Sequence, residues 1–270
     1  MRSLKLVLII FTIGLFASCQ FTEKKKVIST EVTKDTIPDP SEIPVSLSES
    51  EKIIQESIEA HGGDLYDSAN YSFVFRKNTF QFKNDKSNYE YTKTYKKGDS
   101  LIVDVLKSGD FSRSVNGSVV ELSDKDIAVG TGAINSVIYF ATLPYKLSDK
   151  AVNSKLIEKI TVKGENYYAI QVTFDEEGGG EDHDDHYFYW INTKTKKIDF
   201  LAYNYSVNEG GVRFRVGYNK RVVDGITFQD YTNYEAAVGT PLKDLPKLYE
   251  ANSLKELSKI KTENVINLNK

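Results

Sequence analysis

Residues 186–218 read HYFYWINTKTKKIDFLAYNYSVNEGGVRFRVGY, and this stretch decides the fold. Three runs rich in Tyr, Phe, Ile and Val (186–191, 197–205 and 212–218) predict β-strands. The connections between the runs leave no room for crossover helices, so we expect antiparallel strands. A chain made of such runs folds as a barrel or as a sheet curled around a helix.

The same alternation extends along the chain in both directions from this stretch. Tyr71, Phe73 and Phe75 alternate with more polar residues, and a later strand has Leu101, Val103 and Val105 on one face. Further strands are predicted at 89–95, 157–162, 167–174 and 228–234, and hairpin turns at Gly98-Asp99, Asn116-Gly117 and Lys163-Gly164. We therefore predict a mainly β (α+β) fold, a curved antiparallel sheet or half-barrel of around ten strands.

Helical patterns interrupt the strands in three places. Residues 48–61 begin with a capping box formed by Ser48 and Glu51 and end at His61-Gly62-Gly63. Residues 133–147 have apolar side chains at helical spacing until Pro144, which predicts a helical insert. Residues 242–257 predict a weaker C-terminal helix.

Composition excludes several classes of protein. The 35 basic and 38 acidic residues leave a net charge of -3, which is too balanced for a nucleic-acid binder. A single cysteine excludes an internal disulfide framework and any zinc site made of several cysteines. The 17 Tyr and 14 Phe residues favour half-buried β-sheet surfaces.

The N-terminus predicts where the protein is located in the cell. Arg2 and Lys5 precede an apolar run that is followed by Ala17-Ser18-Cys19, the order of a secretory signal peptide. The end of this run resembles the lipobox of bacterial lipoproteins, which implies cleavage before Cys19 and acylation (palmitate) of that residue. The resemblance implies a membrane-anchored envelope protein, in the outer rather than the inner membrane because Gln20 and not Asp follows the cysteine.

The remaining chain divides by composition. After the signal peptide (1–18), residues 19–48 hold three of the six prolines and predict a lipidated tether. Residues 49–250 are predicted to form a single antiparallel β domain, and residues 251–270 a polar C-terminal tail.

One acidic segment could hold a metal. Residues 175–186 read DEEGGGEDHDDH, and Asp182, His183, Asp184 and His186 are the candidate ligands for Zn²⁺ or another divalent cation. On a regular strand His183 and His186 would face opposite sides, so both can share a metal only if His183 lies in the loop. The alternative is a solvated acidic hairpin tip.

The candidate ligand-binding residues are Arg213, Arg215, Trp190 and His61. Arg213 and Arg215 share one face of a strand in a chain that otherwise prefers lysine, and paired arginines suit bidentate binding of an anion. They could instead form ion pairs with the acidic segment, or build a site with His183. His61 could equally hydrogen-bond the last carbonyls of its helix. No catalytic residue is assigned, since neither a Gly-x-Ser-x-Gly elbow nor a phosphate-binding glycine loop is present.

Two resemblances follow from these features. The lipidated N-terminus, the leading helix and the antiparallel meander with a helical insert resemble the half-barrel carriers of the Lol lipoprotein-localisation system. Four strings, at 61–63 (HGG), 143–145 (LPY), 178–183 (GGGEDH) and 211–215 (GVRFR), resemble an uncharacterised family of Bacteroidota-type envelope lipoproteins. This family brings no activity with it.

The sequence thus favours a non-enzymatic binding or carrier lipoprotein for an apolar or lipid-like ligand. The alternatives are a metal-dependent envelope hydrolase that uses residues 182–186, and a structural envelope protein that binds a protein partner. The expected partners are the membrane, a lipid-like ligand or an envelope protein, and not nucleic acid. A divalent cation is the one cofactor that the acidic segment suggests.

Overall fold

Two open antiparallel sheets of seven strands each form the framework of the protein. The structure is a computed structural model, and it describes residues 46–179, 185–206 and 209–270. The first sheet has the order β14-β1-β2-β3-β4-β5-β6, with β1 Asn70–Phe75, β2 Asn78–Asp85, β3 Asn88–Lys97, β4 Ser100–Lys107, β5 Asp110–Val115, β6 Ser118–Val119 and β14 Glu263–Asn267. The mainly β prediction is confirmed.

The second sheet contains most of residues 186–218. Its order is β13-β12-β11-β10-β9-β8-β7, with β7 Val152–Val162, β8 Glu165–Phe174, β9 His186–Asn192, β10 Ile198–Tyr205, β11 Gly211–Val223, β12 Ile226–Ala236 and β13 Lys255–Ile260. Each strand of this sheet after β7 pairs with the strand that precedes it along the chain, including β13, which pairs with β12. The described chain therefore carries fourteen strands rather than around ten.

The described residues also contain four α-helices and three 3₁₀ turns. The helices are α1 Glu49–His61, α2 Asp124–Ala141, α3 Glu176–Gly179 and α4 Leu245–Glu250, with 3₁₀ turns at Gly63–Ser68, Tyr145–Ser148 and Leu242–Asp244. Of these, α2 and the turn at Tyr145–Ser148 connect the two sheets. Helix α1 begins at the predicted capping box, since Ser48 Oγ accepts from Glu51 N while a Glu51 carboxylate accepts from Ser48 N. No helix in the described residues is both long and apolar enough to span a bilayer.

Helix α2 is longer than predicted. It begins after the N-cap Ser123, whose Oγ accepts from Asp126 N, nine residues before the expected start at 133. The early turns contain two glycines and few apolar residues, which conceals the helical period. One of these glycines is required, because a Cβ at Gly130 would overlap the ring of Phe111 on β5.

The C-terminus also differs from expectation. The α-helix ends at Glu250, and residues 255–260 and 263–267 are strands β13 and β14, one in each sheet, rather than parts of a helix and a polar tail. Both lie at sheet edges and are largely exposed, so few apolar residues mark their alternation.

Buried side chains form three hydrophobic clusters. The first joins the sheet-one strands and the 3₁₀ turn after α1 to α2 through Ile134 and Ile138. The second lies between the inner face of sheet two and α1, and includes Tyr189 and Leu201. The third covers the outer face of sheet two, where Leu242 and Leu245 pack over it. Helix α2 contacts both sheets, because Tyr139 Oη lies 2.5 Å from Tyr189 Oη.

Candidate functional site

A cavity of about 440 Å³ lies where α2, the first strand of sheet one and the inner face of sheet two meet. Ten of its seventeen lining residues are aromatic or aliphatic, and three of its polar residues, Arg213, Arg215 and Asn233, lie on sheet two. The lining residues are Phe73, Phe75, Arg76, Ser136, Val137, Phe140, Ala141, Asp185, Tyr187, Tyr203, Tyr205, Arg213, Arg215, Tyr231, Asn233, Ile260 and Thr262. Cavities of this size and lining hold small ligands in other proteins.

Strand pairing places the polar residues side by side. In sheet two, Tyr203 lies opposite Arg213 across β10 and β11, and Asn233 lies opposite Arg215 across β11 and β12. Successive side chains alternate between the two faces of a strand, so Arg213 and Arg215 point to the same face. This face is the one that α2 covers.

Arg215 is the most deeply buried cation of the cavity, with 8% of its surface exposed. Its Nη2 donates to Tyr203 Oη at 2.8 Å, and its Cζ lies 3.8 Å from the ring centre of Phe140 on α2. Its Nε is buried and has no hydrogen-bond partner. The guanidinium is therefore held by aromatic groups and keeps a donor unused.

Arg213 lies nearer the surface and is held by Tyr205. Its Nη2 donates to Tyr205 Oη at 2.5 Å, and its Nη1 donates to the Val212 carbonyl at 3.1 Å. The Tyr205 ring fits because the residue opposite is Gly211, where a Cβ would overlap the ring. A glycine thus makes room for the tyrosine that orients the arginine.

Two residues of β12 extend the polar group. Asn233 is 9% exposed, and its Oδ1 has no hydrogen-bond partner. Tyr231 is buried, which raises the pKa of its hydroxyl to about 12, and Gln229 Nε2 donates to it at 2.7 Å. Tyr231 therefore stays neutral.

The structure brings together only two of the four predicted ligand-binding residues. Arg213 and Arg215 line the cavity. Trp190 is fully buried on the outer face of sheet two, where it packs against Phe188 and Phe214. His61 lies at the end of α1 and does not line the cavity either.

His61 is buried in a way that fits a structural role. It is 1% exposed, and its Nδ1–H donates to the Ser57 carbonyl at 2.8 Å, a contact with the helix of the kind that the sequence suggested. The pKa of His61 is lowered to about 3, chiefly by burial and also by the positive charges of Lys197 and Lys220, while the hydrogen bond to Ser57 acts in the opposite direction. The imidazole is neutral at physiological pH.

Most of the predicted metal ligands lie outside the described residues. These are Asp182, His183 and Asp184, and Cys19 with the predicted signal peptide lies outside as well. His186 is described: it is exposed, and its backbone N–H donates to Asn204 Oδ1 at 3.1 Å. Within the described ranges no group of three or more His, Cys, Asp or Glu side chains forms a metal-binding cluster.

Sequence reasoning did not identify the other residues around the arginines. Tyr203 and Tyr205 occupy alternate positions of β10, and this pattern could have placed them on the face that pairs with Arg213. Phe140 belongs to the apolar helical insert, but nothing local indicates that it lies against Arg215. Asn233 carries no signal of its own.

Comparisons with known proteins add a family and three structural similarities. A LolA superfamily protein from Nitrosomonas europaea has a TM-score of 0.48 and 12% identity over 81% of this chain and 93% of that one. A putative outer membrane lipoprotein-sorting protein domain from Vibrio parahaemolyticus has a TM-score of 0.44 and 8% identity over 80% and 91%. A DUF1329 family protein from Desulfovibrio piger has a TM-score of 0.39 and 10% identity over 82% and 94%.

The sequence comparisons are of two kinds. No curated protein sequence matches the chain. Residues 47–263, which include every residue that lines the cavity, match a family of unknown function, DUF6503, and the chain belongs to this family.

Proposed function

We propose that this protein is a non-enzymatic binding module that holds an apolar or lipid-like ligand in the cavity between α2 and the two sheets. The observation that carries the proposal is the aromatic and aliphatic wall around about 440 Å³ of space. Transfer of apolar surface from water to such a wall is favourable by about 25 cal/mol per Å². The few polar groups at one side would orient the ligand.

The geometry of α2 supports the same proposal. The helix reaches sheet one through Ile134 and Ile138 and sheet two through Tyr139 and Phe140. Between these contacts Val137 and Ala141 face the cavity. Helix α2 therefore covers the cavity, and Val137 and Ala141 are too small to fill it.

The N-terminus completes the proposal. A lipid on Cys19 and a tether to residue 48 would hold the binding domain close to a bacterial envelope membrane, the outer membrane in our proposal. Several acyl chains give stable anchoring, because each buried methylene contributes about 0.8 kcal/mol. Metabolic labelling with radioactive palmitate tests this step, and a Cys19→Ser variant that still carries the label would contradict it.

Binding can be tested with an uncharged dye that fluoresces in apolar surroundings. We expect the chain from residue 20 to 270 to bind the dye saturably at about one site while it remains folded. Ser136→Trp adds a large side chain at an exposed position of the cavity wall, and Asn135→Trp adds the same group next to it but outside the lining. The first variant should weaken dye binding and the second should not. Absence of saturable binding to the unmodified chain would overturn the proposal.

A further inference from the structure

We infer that the ligand is an acidic amphiphile, whose carboxylate or phosphate is bound by Arg213 and Arg215 while its apolar chain lies along the aromatic wall. This inference rests on the proposed function and names the class of ligand. It starts from the two guanidinium groups on the inner face of sheet two and from the polar atoms beside them that have no partner.

The first observation is the environment of Arg215. Burying a cation is costly unless it is paired with an anion or fully hydrogen-bonded. Arg215 is 92% buried, yet its Nε has no partner and its visible contacts are the neutral Tyr203 hydroxyl and the Phe140 ring. An anion in the cavity would supply the missing acceptor.

The second observation is that Arg213 is equally without a carboxylate. Among the described residues, no carboxylate oxygen lies within 4 Å of either guanidinium. Glu235, which lies opposite Arg213 across β11 and β12, pairs with Lys255 at 2.7 Å. The described carboxylates therefore do not pair with these arginines, and Glu181, Asp182 and Asp184 of the acidic segment, which the sequence also allowed as partners, lie outside the described residues.

The described lining of the cavity carries a net positive charge. It includes three arginines, Arg76, Arg213 and Arg215, and one carboxylate, Asp185. In a partly closed, apolar cavity this excess acts on a bound anion more strongly than it would in water. The two forks on β11 lie two residues apart, about 7 Å along the strand, so both can reach one head group.

The third observation is the pair formed by Arg215 and Asn233. They face each other across β11 and β12, and both carry a buried polar atom without a partner, Nε on the arginine and Oδ1 on the asparagine. A head group with an acceptor oxygen and a hydroxyl donor would satisfy both. The tyrosines that hold the arginines already fix their orientation, so the site is preorganised for an anion.

The test compares an acid with its uncharged ester in the chain from residue 20 to 270. The probes are cis-parinaric acid, a fluorescent fatty acid, and its methyl ester. We expect the acid to bind at least about tenfold more tightly than the ester. Arg215→Met should weaken binding of the acid by about 10- to 100-fold, the range for a hydrogen bond to a charged group, and should change binding of the ester less than about twofold.

Control variants separate charge from folding. Lys194→Met removes one positive charge from a side chain that is 74% exposed, and should leave the preference for the acid unchanged. Arg215→Lys keeps the charge but loses the fork, and should bind the acid with intermediate affinity. Unchanged ester binding by either Arg215 variant shows that the cavity is intact.

The outcomes are distinct. Equal binding of acid and ester by the unmodified chain, or an equal loss of both in Arg215→Met, would overturn this inference and leave the proposed function standing. Binding of neither probe would overturn the proposed function itself. Competition by oleate and by 1-oleoyl lysophosphatidate then distinguishes a carboxylate from a phosphate head, and stronger competition by uncharged monoolein than by both would count against an acidic ligand.

Discussion

The buried imidazole of His61 should make the stability of this protein fall steeply in mild acid. The folded chain holds His61 neutral, with a pKa of about 3 because of burial, whereas an exposed histidine in the unfolded chain has a pKa near 6.5. Below pH 6.5 the unfolded chain therefore binds a proton that the folded chain does not. Stability is full above pH 6.5 and is lost as the pH falls towards 3.

The size of the effect follows from these two pKa values. Over the whole window the shift corresponds to about 5 kcal/mol, and between pH 7.5 and 4.5 the loss is about 2.6 kcal/mol. Full conversion is justified because the side chain is 1% exposed and its Nε2 has no partner that could share a proton.

The assay is urea unfolding at several pH values from 7.5 to 4.5. Because other groups also titrate, the contribution of His61 is taken as the difference in free energy of unfolding between the unmodified chain and a variant without this imidazole. His61→Gln cannot be protonated, so its free energy of unfolding should fall with pH less steeply than that of the unmodified chain. The difference between the two should shrink by about 2.6 kcal/mol across this range. His186→Gln is the matched control, since it removes an exposed imidazole and should follow the unmodified chain. Parallel curves for His61→Gln and the unmodified chain would refute the reasoning.

Three further predictions concern local contacts, and urea unfolding at neutral pH measures each. Arg113→Met should lower the free energy of unfolding by about 3–5 kcal/mol, because it leaves the buried Asp104 without its bidentate partner. Adding Asp104→Leu should restore much of this loss, and a loss below about 1 kcal/mol would contradict a buried pair. Ser123→Ala should cost about 1 kcal/mol through loss of the α2 N-cap, and an unchanged unfolding midpoint would show that the cap contributes nothing. Gly211→Ala should cost about 1–3 kcal/mol because its Cβ overlaps the ring of Tyr205, and full stability would mean that the ring moves aside freely.

Most strands that the sequence predicted have alternating or continuous apolar residues, and several are bounded by turns that contain glycine or asparagine. All three predicted hairpin turns, at Gly98-Asp99, Asn116-Gly117 and Lys163-Gly164, connect adjacent strands. Strand β2 was missed because its turns carry no such signal. Arg76 and Lys77 connect it to β1 with positive φ angles of 47° and 72°, which basic residues rarely adopt.

Strand β4 shows why alternation alone does not fix which face is buried. Residues 101–106 are apolar at every position except 104, and the prediction placed Leu101, Val103 and Val105 together on one face. The structure instead buries Ile102 and Leu106 on the face that also carries Asp104. The face with Asp104 can be buried because Arg113 lies opposite Asp104 on β5 and neutralises its charge. The deciding partner is on another strand.

The same limit explains the candidate site. Trp190 and His61 are also predicted ligand-binding residues, but the sequence does not indicate which face of the fold each of them occupies. Residues 187–191 are aromatic or aliphatic throughout, so periodicity does not show which of them point to the cavity. The strand register does show it. Arg215 lies opposite Leu201 and Leu201 opposite Tyr189, so these three side chains share one face. Trp190 follows Tyr189 in the strand and therefore points to the other face.

Arg213 and Arg215 both line the cavity, and the reason to expect them at a site is chemical. A chain with six arginines among 35 basic residues places two of them on one face of one strand, where lysine would have met any need for solubility. The planar guanidinium of arginine is needed only where its donors must match a partner of fixed geometry, either a carboxylate of the protein or a ligand. No carboxylate among the described residues pairs with either guanidinium, and Arg215, one of the two, keeps a buried Nε–H without a partner; both observations favour the ligand proposed above.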